Sequence, residues 1–487
     1  MKKTISLVAA VALTVSALAQ VGTLTLRSEG KALATGSYQS TCFSLDTTSL
    51  LFEQNASLVN ARYELARFDM NQKELARIRY KRQAGRSYDY VFDNGTVVDL
   101  LISDLGLGDT PPGLYHERRD PTNLKPLSEP EPLHTIQREA GQGICFARLS
   151  PDKQLVAGFY ITLGDGKPAE VRVALYNRKL EEYWNMTSRL TTIGPMMVTD
   201  SGEVLIAGCS QKKGTDETVY EVLVFDGEHD NSYRFTTHHK GRVSDLQLAS
   251  YHNGKIALFA TISKEGHTNK NESYVDRLLS LCYNTQTKTL SDEIHKLTDV
   301  ECNRLGNKDD DARAKNAVRF LQIENVATAP DGRYDVLLTQ RWREYVDGLP
   351  TGIYTQGLMV ASIDANGRFA QTYTRRVNTG VAINQSTMNQ YKLMRTAHGA
   401  LLFFTQHASS ADRGEDERVK RFQPMHDKTA ITTLYIPDNG SVVEQNFPVD
   451  KYGILGTPVS LGNNSYLLFL RTKRKSQVAI FEMDASK

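Results

Sequence analysis

The sequence predicts an all-β chain folded as a single β-propeller of about eight four-stranded blades. Three observations predict it: an apolar strand ending in Asp or Asn that recurs along the chain, a strand-turn-strand motif upstream of most copies, and a last copy too short to finish its own sheet.

The recurring strand appears as Tyr63 to Asp69, Val171 to Asn177, Tyr220 to Asp226, Leu278 to Asn284, Leu358 to Asp364, Thr432 to Asp438 and Val478 to Asp484, with a weaker copy from Gly113 to Asp120. The upstream motif places an Asp-, Asn- or Gly-bearing turn between two apolar runs, as in Ala147 to Gly158, Met197 to Ile206, Leu248 to Leu258, Val326 to Leu337 and Leu393 to Phe403. Gly and Asn supply the positive φ that tight hairpins need, and β-branched and aromatic neighbours suit a pleated surface. Each unit therefore reads as four antiparallel strands, A to D. One such sheet cannot bury both faces alone, so repeated copies stack around a ring. The anchors at 69, 120, 177, 226, 284, 364, 438 and 484 are 46 to 80 residues apart, and long loops account for the two widest steps. Without the weak copy at Asp120 the ring has seven blades and an insertion near 83–142.

Only Ala485, Ser486 and Lys487 follow Asp484, too few for a strand D. The alternating segment Val21 to Arg27 is expected to supply it, pairing the two chain ends and hiding open sheet edges.

The Ser-Pro-Asp turn at Ser150 and the Ala-Pro-Asp-Gly turn at Ala329 resemble those of TolB-like and WD40-like propeller blades. The resemblance implies a propeller that serves as a platform for protein binding, and it implies no chemistry.

Lys2 and Lys3, an apolar run from Ile5 to Leu18 and Ala17-Leu18-Ala19 before Gln20 read as a secretory signal over residues 1–19, leaving a propeller domain over 20–487. The run is shorter than the roughly 20 residues that span a bilayer, so no membrane insertion is expected. With 58 basic and 56 acidic side chains the net charge is +2, which gives no global field for nucleic acid, and none is expected as a partner. Five cysteines are too few and of the wrong parity for a disulfide framework. Cys42, Cys145, Cys209 and Cys282 sit in strand-like apolar runs as small buried hydrophobes, while Cys302 stands in a polar loop.

Catalytic signatures are absent. There is no sialidase-type Asp box, no regular tryptophan series (Trp184 and Trp342 are the two tryptophans), no Gly-x-Ser-x-Gly elbow and no His-Glu-x-x-His. His238 and His239 point to opposite sides of an extended segment and read as a solvated loop; Asp309, Asp310 and Asp311 lack the spacing of a cation loop. No metal site and no catalytic residue is assigned, and no cofactor is specified.

The B–C and D–A connections of a propeller emerge on one face, and four long ones belong to that class: 262–276, 298–318, 340–357 and 405–429. Long loops on a rigid scaffold carry binding. The third holds Arg341, Trp342, Arg343, Tyr345 and Tyr354, and the fourth Arg413, Arg418, Arg421, Phe422 and His426, residue types enriched at binding hot spots. The expected function is an exported, non-catalytic binding or assembly module of a bacterial cell envelope, in the periplasm or at the surface, with an envelope protein or glycan as partner. The alternative is a carbohydrate-active or other hydrolytic enzyme with its site in the central mouth of the same face.

Overall fold

The computed structural model describes residues 24–483 apart from 30–33, 36–39, 46–48, 58–61, 70–72, 82–84, 107–109, 137–141, 164–167, 191–192, 213, 253, 265–272, 307–316, 330, 347–348, 383–390, 397, 411–426, 439–440, 450–451, 463 and 472–474. The fold is an all-β propeller of eight antiparallel sheets, each built on four strands in the order A-B-C-D. Sheets 1 to 7 span 40–81, 86–135, 142–190, 196–238, 242–296, 321–382 and 392–449. Sheet 8 takes its first three strands from 453–483 and its fourth from Leu24–Glu29.

Every copy of the sequence repeat is a strand C. The eight run Arg62–Asp69, Gly113–Arg119, Ala169–Asn177, Glu217–Phe225, Tyr274–Asn284, Leu349–Ile363, Thr429–Pro437 and Lys475–Met483, each ending at the Asp or Asn or one residue before it. The reason for that residue lies in the next turn. Asp226 Oδ1 accepts the backbone N–H groups of Glu228 (2.9 Å) and His229 (2.6 Å). Asn284 Oδ1 does the same for Gln286 and Thr287, and Asp364 Oδ1 for Asn366 and Arg368. A short side-chain acceptor thus closes the C–D turn before the chain can pair again. The weak copy at Asp120 also works this way, bonding the Thr122 N–H at 2.7 Å, and its strand belongs to sheet 2; the eight-sheet count follows and the seven-blade alternative falls.

The chain divides into two compact units, one of 38–342 with 356–376, the other of the N-terminal 37 residues with 343–355 and 377–487. Within the first, consecutive sheets share their cores, and the two-residue period of a strand does the sharing. On strand C of sheet 4, Leu223 and Phe225 pack into sheet 3, while Val222 and Val224 pack into sheet 5. Cores of the same kind lie between sheets 1 and 2, 2 and 3, and 5 and 6. In the second unit sheets 7 and 8 share one around Phe403, Tyr466 and Phe481. Inner strands are consequently buried on both faces, as from Ile256 to Ser263, whereas the outer strand Glu182–Leu190 alternates toward solvent. Each fully buried aliphatic side chain contributes roughly 1.5–3 kcal/mol, so the stacking supplies what a lone sheet lacks.

The expected joining of chain ends is present in sheet 8. Leu24, Thr25, Leu26, Ser28 and Glu29 pair antiparallel with Met483, Glu482, Phe481, Ile480 and Ala479, slightly later in the chain than the segment Val21 to Arg27. The short strand Ala34–Thr35 continues along the same edge against Ser476 and Lys475.

Three expectations need correction. The 340–357 segment is not a loop: strand B of sheet 6 runs Tyr334–Val346 and strand C Leu349–Ile363, so the hairpin is strand almost to its tip. Charged residues alternating with Trp342 and Tyr345 masked a strand whose polar face meets solvent. Cys302 is not in a polar loop but buried on a short helix, α1 (Asp299–Arg304), between sheets 5 and 6. His239 is not solvated; it is 4% exposed, whereas His238 faces solvent, as alternation requires. Asp309 to Asp311 lie outside the described residues, as does the side chain of Cys42.

Candidate functional site

In an antiparallel A-B-C-D sheet the B–C turn and the D–A connection lie at the same end. At that end of sheets 4 and 5 is an open groove of about 540 Å³ whose lining includes Ser210, Gln211, Lys212, Thr215, Thr218 and Arg242. One wall is the B–C turn of sheet 4. Lys212 carbonyl accepts the Thr215 N–H (3.2 Å) and hydroxyl (3.0 Å), and Gly214 holds φ +76°. The other wall is the start of strand A of sheet 5, Arg242–His252. Gln211 Nε2 crosses between them, donating to Gly241 carbonyl at 3.0 Å. Gly241 has φ +91°, and a Cβ there would meet Ser263 carbonyl at 2.0 Å, so only glycine lets this connection pass so close to sheet 5.

Thr218, the buried member of the lining, belongs to a buried polar cluster. Thr218 and Tyr220 lie on one side of strand C and Thr237 pairs with Thr218 across the sheet. His239 Nε2 stands 3.3 Å from the Tyr220 hydroxyl. Burial, with Arg277 next, lowers the His239 pKa, so its imidazole is neutral at pH 7; burial raises Tyr220. Thr218 is 1% exposed, and its hydroxyl has no hydrogen-bond partner among the described residues; the same holds for His239 Nδ1. Lys212 Nζ sits 3.3 Å from Glu217 on the rim, and Arg242 is exposed and makes no ion pair among the described residues. The site is thus hydroxyl, amide and cation beside a neutral buried cluster.

Elsewhere the ionisable groups hold structure together. Asp99 accepts from His116 Nε2 at 2.6 Å within sheet 2. Buried Glu117 and Arg119 pair at 2.6 Å, with Arg119 4.9 Å from the Tyr80 ring centre. Asp89, raised by burial, accepts the Ser103 and Ser87 hydroxyls. Burial pushes the Cys145 thiol up to about 11 and Cys302 to about 12, which keeps both protonated and poor nucleophiles. No group of three or more potential metal ligands occurs among the described residues. One carboxylate pair stands apart: Asp245, on strand A of sheet 5, is raised by burial and by nearby Glu324, the bulged residue of strand A of sheet 6. Asp245 Oδ2 accepts the Ile323 N–H at 2.7 Å, and Glu324 accepts the Thr339 hydroxyl at 2.7 Å and Arg341 Nη1 at 3.2 Å.

The hot-spot residues inferred from sequence divide. Arg341 is committed to Glu324. Arg343 and Tyr345 are exposed, Tyr345 by 57%, on one side of strand B, and Trp342 falls on the other side, half-buried. Tyr354 lies over Gly380, its ring 2.7 Å from where a Cβ on that glycine would stand. Arg413, Arg418, Arg421, Phe422 and His426 lie outside the described residues. The groove itself went unpredicted, because its residues come from a turn of one sheet and the first strand of the next.

No protein-family model matches the chain, and no curated protein matches it. Among solved structures it is similar to the Dos1 propeller, at 9% identity and TM-score 0.32 over 96% of each chain. The apocarotenoid oxygenase of Synechocystis matches at 9% identity and TM-score 0.35, over 94% of this chain and 92% of that one. Prolyl oligopeptidase B from Galerina marginata matches at 8% identity and TM-score 0.40, over 91% of this chain and 56% of that one. The eight antiparallel sheets are read from the chain's own strand pairing.

Proposed function

We propose that the protein is an exported, non-catalytic binding module of a bacterial cell envelope, holding a protein or glycan partner at the B–C and D–A ends of its sheets. The observation that carries this reading is the groove between sheets 4 and 5: hydroxyl, amide and cationic side chains, with no carboxylate among the described residues that line it. Rigid placement of donors with nothing to activate water suits recognition rather than turnover. The sheet 6 hairpin bearing Trp342, Arg343, Tyr345 and Tyr354 belongs to the same class of connection and is a second contact surface in this reading. The test is to present the mature chain, from Gln20, to an array of envelope glycans and peptides while assaying each for cleavage. Binding without turnover is expected, and turnover overturns the reading.

A second reading, hydrolysis, is favoured by Asp245 and Glu324, one acid whose pKa burial raises beside another that is hydrogen-bonded. Asp245→Asn and Glu324→Gln are expected to leave array binding intact. Turnover abolished by both substitutions is the result that favours the enzyme.

A further inference from the structure

We infer that the groove between sheets 4 and 5 selects an anionic saccharide, a carboxylate-bearing oligosaccharide; this rests on the binding-module reading above and names its ligand class. Three features point there. The volume, about 540 Å³, lies within the range of roughly 300–1,000 Å³ typical of small-ligand sites. Among the described residues the lining has no aromatic side chain, so they offer neither the stacking platform of a neutral sugar site nor the aromatic anchor of a protein interface. What it offers is Ser210, Thr215 and Gln211, which match a ligand dense in hydroxyls, flanked by Lys212 and Arg242.

The cations decide the sign of the ligand. Arg242 makes no ion pair among the described residues, and its guanidinium fork suits a carboxylate. Lys212 is shared with Glu217 at 3.3 Å, but the lysine is solvent-exposed and the glutamate only half-buried, and a pair at the surface of this kind is worth little, so an incoming carboxylate can draw the ammonium away.

The second, independent observation is Thr218. It is among the residues that line the groove and is 1% exposed, and its hydroxyl has no hydrogen-bond partner among the described residues. A buried hydroxyl left unpaired costs stability, and a ligand hydroxyl or carboxylate reaching it would remove that cost on binding.

The test is titration calorimetry of the chain from Gln20 onward with trigalacturonate, with its fully methyl-esterified neutral form, and with inorganic phosphate. The acid is expected to bind at least about tenfold tighter than the ester, the gap narrowing as salt screens the charges. Lys212→Ala and Arg242→Ala are each expected to weaken the acid by about tenfold and to leave the ester unchanged. Thr218→Val is expected to weaken both forms while the unfolding temperature holds or rises, since no protein hydrogen bond is lost. Equal binding of acid and ester, no binding of either, or phosphate competing on equal terms overturns the inference. If trigalacturonate fails while another array member binds without turnover, the ligand class falls and the binding-module reading stands.

Discussion

Glu301→Gln is expected to cost about 2–3 kcal/mol of stability at neutral pH. Glu301 sits on α1, and its carboxylate ties the helix to two sheets at once. His295, on strand D of sheet 5, lies 3.1 and 3.2 Å from the two oxygens. The Thr298 N–H donates at 2.7 Å from the helix cap, and the Thr372 hydroxyl at 2.7 Å from strand D of sheet 6. Burial pushes this acid up, but the bonds from His295, Thr298 and Thr372 outweigh it and bring the pKa down to about 2, against an ordinary 4.5. The folded value is depressed, so the stabilisation is complete above about pH 4.5 and is lost as pH falls from there toward 2. Urea unfolding across that window should find the native chain losing up to about 3 kcal/mol relative to the glutamine variant. Parallel curves for the two proteins would remove Glu301 from this role.

Removing residues 20–29 is expected to take the fourth strand from sheet 8 and to expose its edge along 479–483. Five paired residues are lost, on the order of 3–5 kcal/mol at about 1 kcal/mol per hydrogen bond. An uncovered edge also invites pairing with other chains. The shortened chain should therefore associate on gel filtration and exchange rapidly those of its 479–483 amides that face the lost strand. A monomer with these amides protected would show that the N-terminal strand is dispensable.

The repeat was legible because its marker has a local cause: an Asx acceptor must stand where strand C turns, and Asp226, Asn284 and Asp364 do so at fixed distance from their partners. The borrowed strand was legible from the deficit after Asp484. α1 was harder, being six residues long and set in a polar stretch, although Thr298 and Glu301 form a capping box that a closer reading contains. The sheet 6 hairpin was misread because Arg341, Arg343 and Tyr345 share the exposed side of a strand, and polarity there resembles a loop. His239 was misread because its burial depends on sheet 5 covering sheet 4. The groove had no local signal at all: Thr218 and Arg242 meet only once the register of sheet 4 and its stacking on sheet 5 are known.

The central claim is that recognition occurs at the B–C and D–A ends of the sheets. Hydrogen exchange of the chain from Gln20 onward, free and bound to whichever array ligand it holds most tightly, tests this directly. Protection gained at 209–218 and 242–243 is the predicted result. Protection confined to the opposite ends, at turns such as 150–154, 199–203 and 226–229, would contradict it.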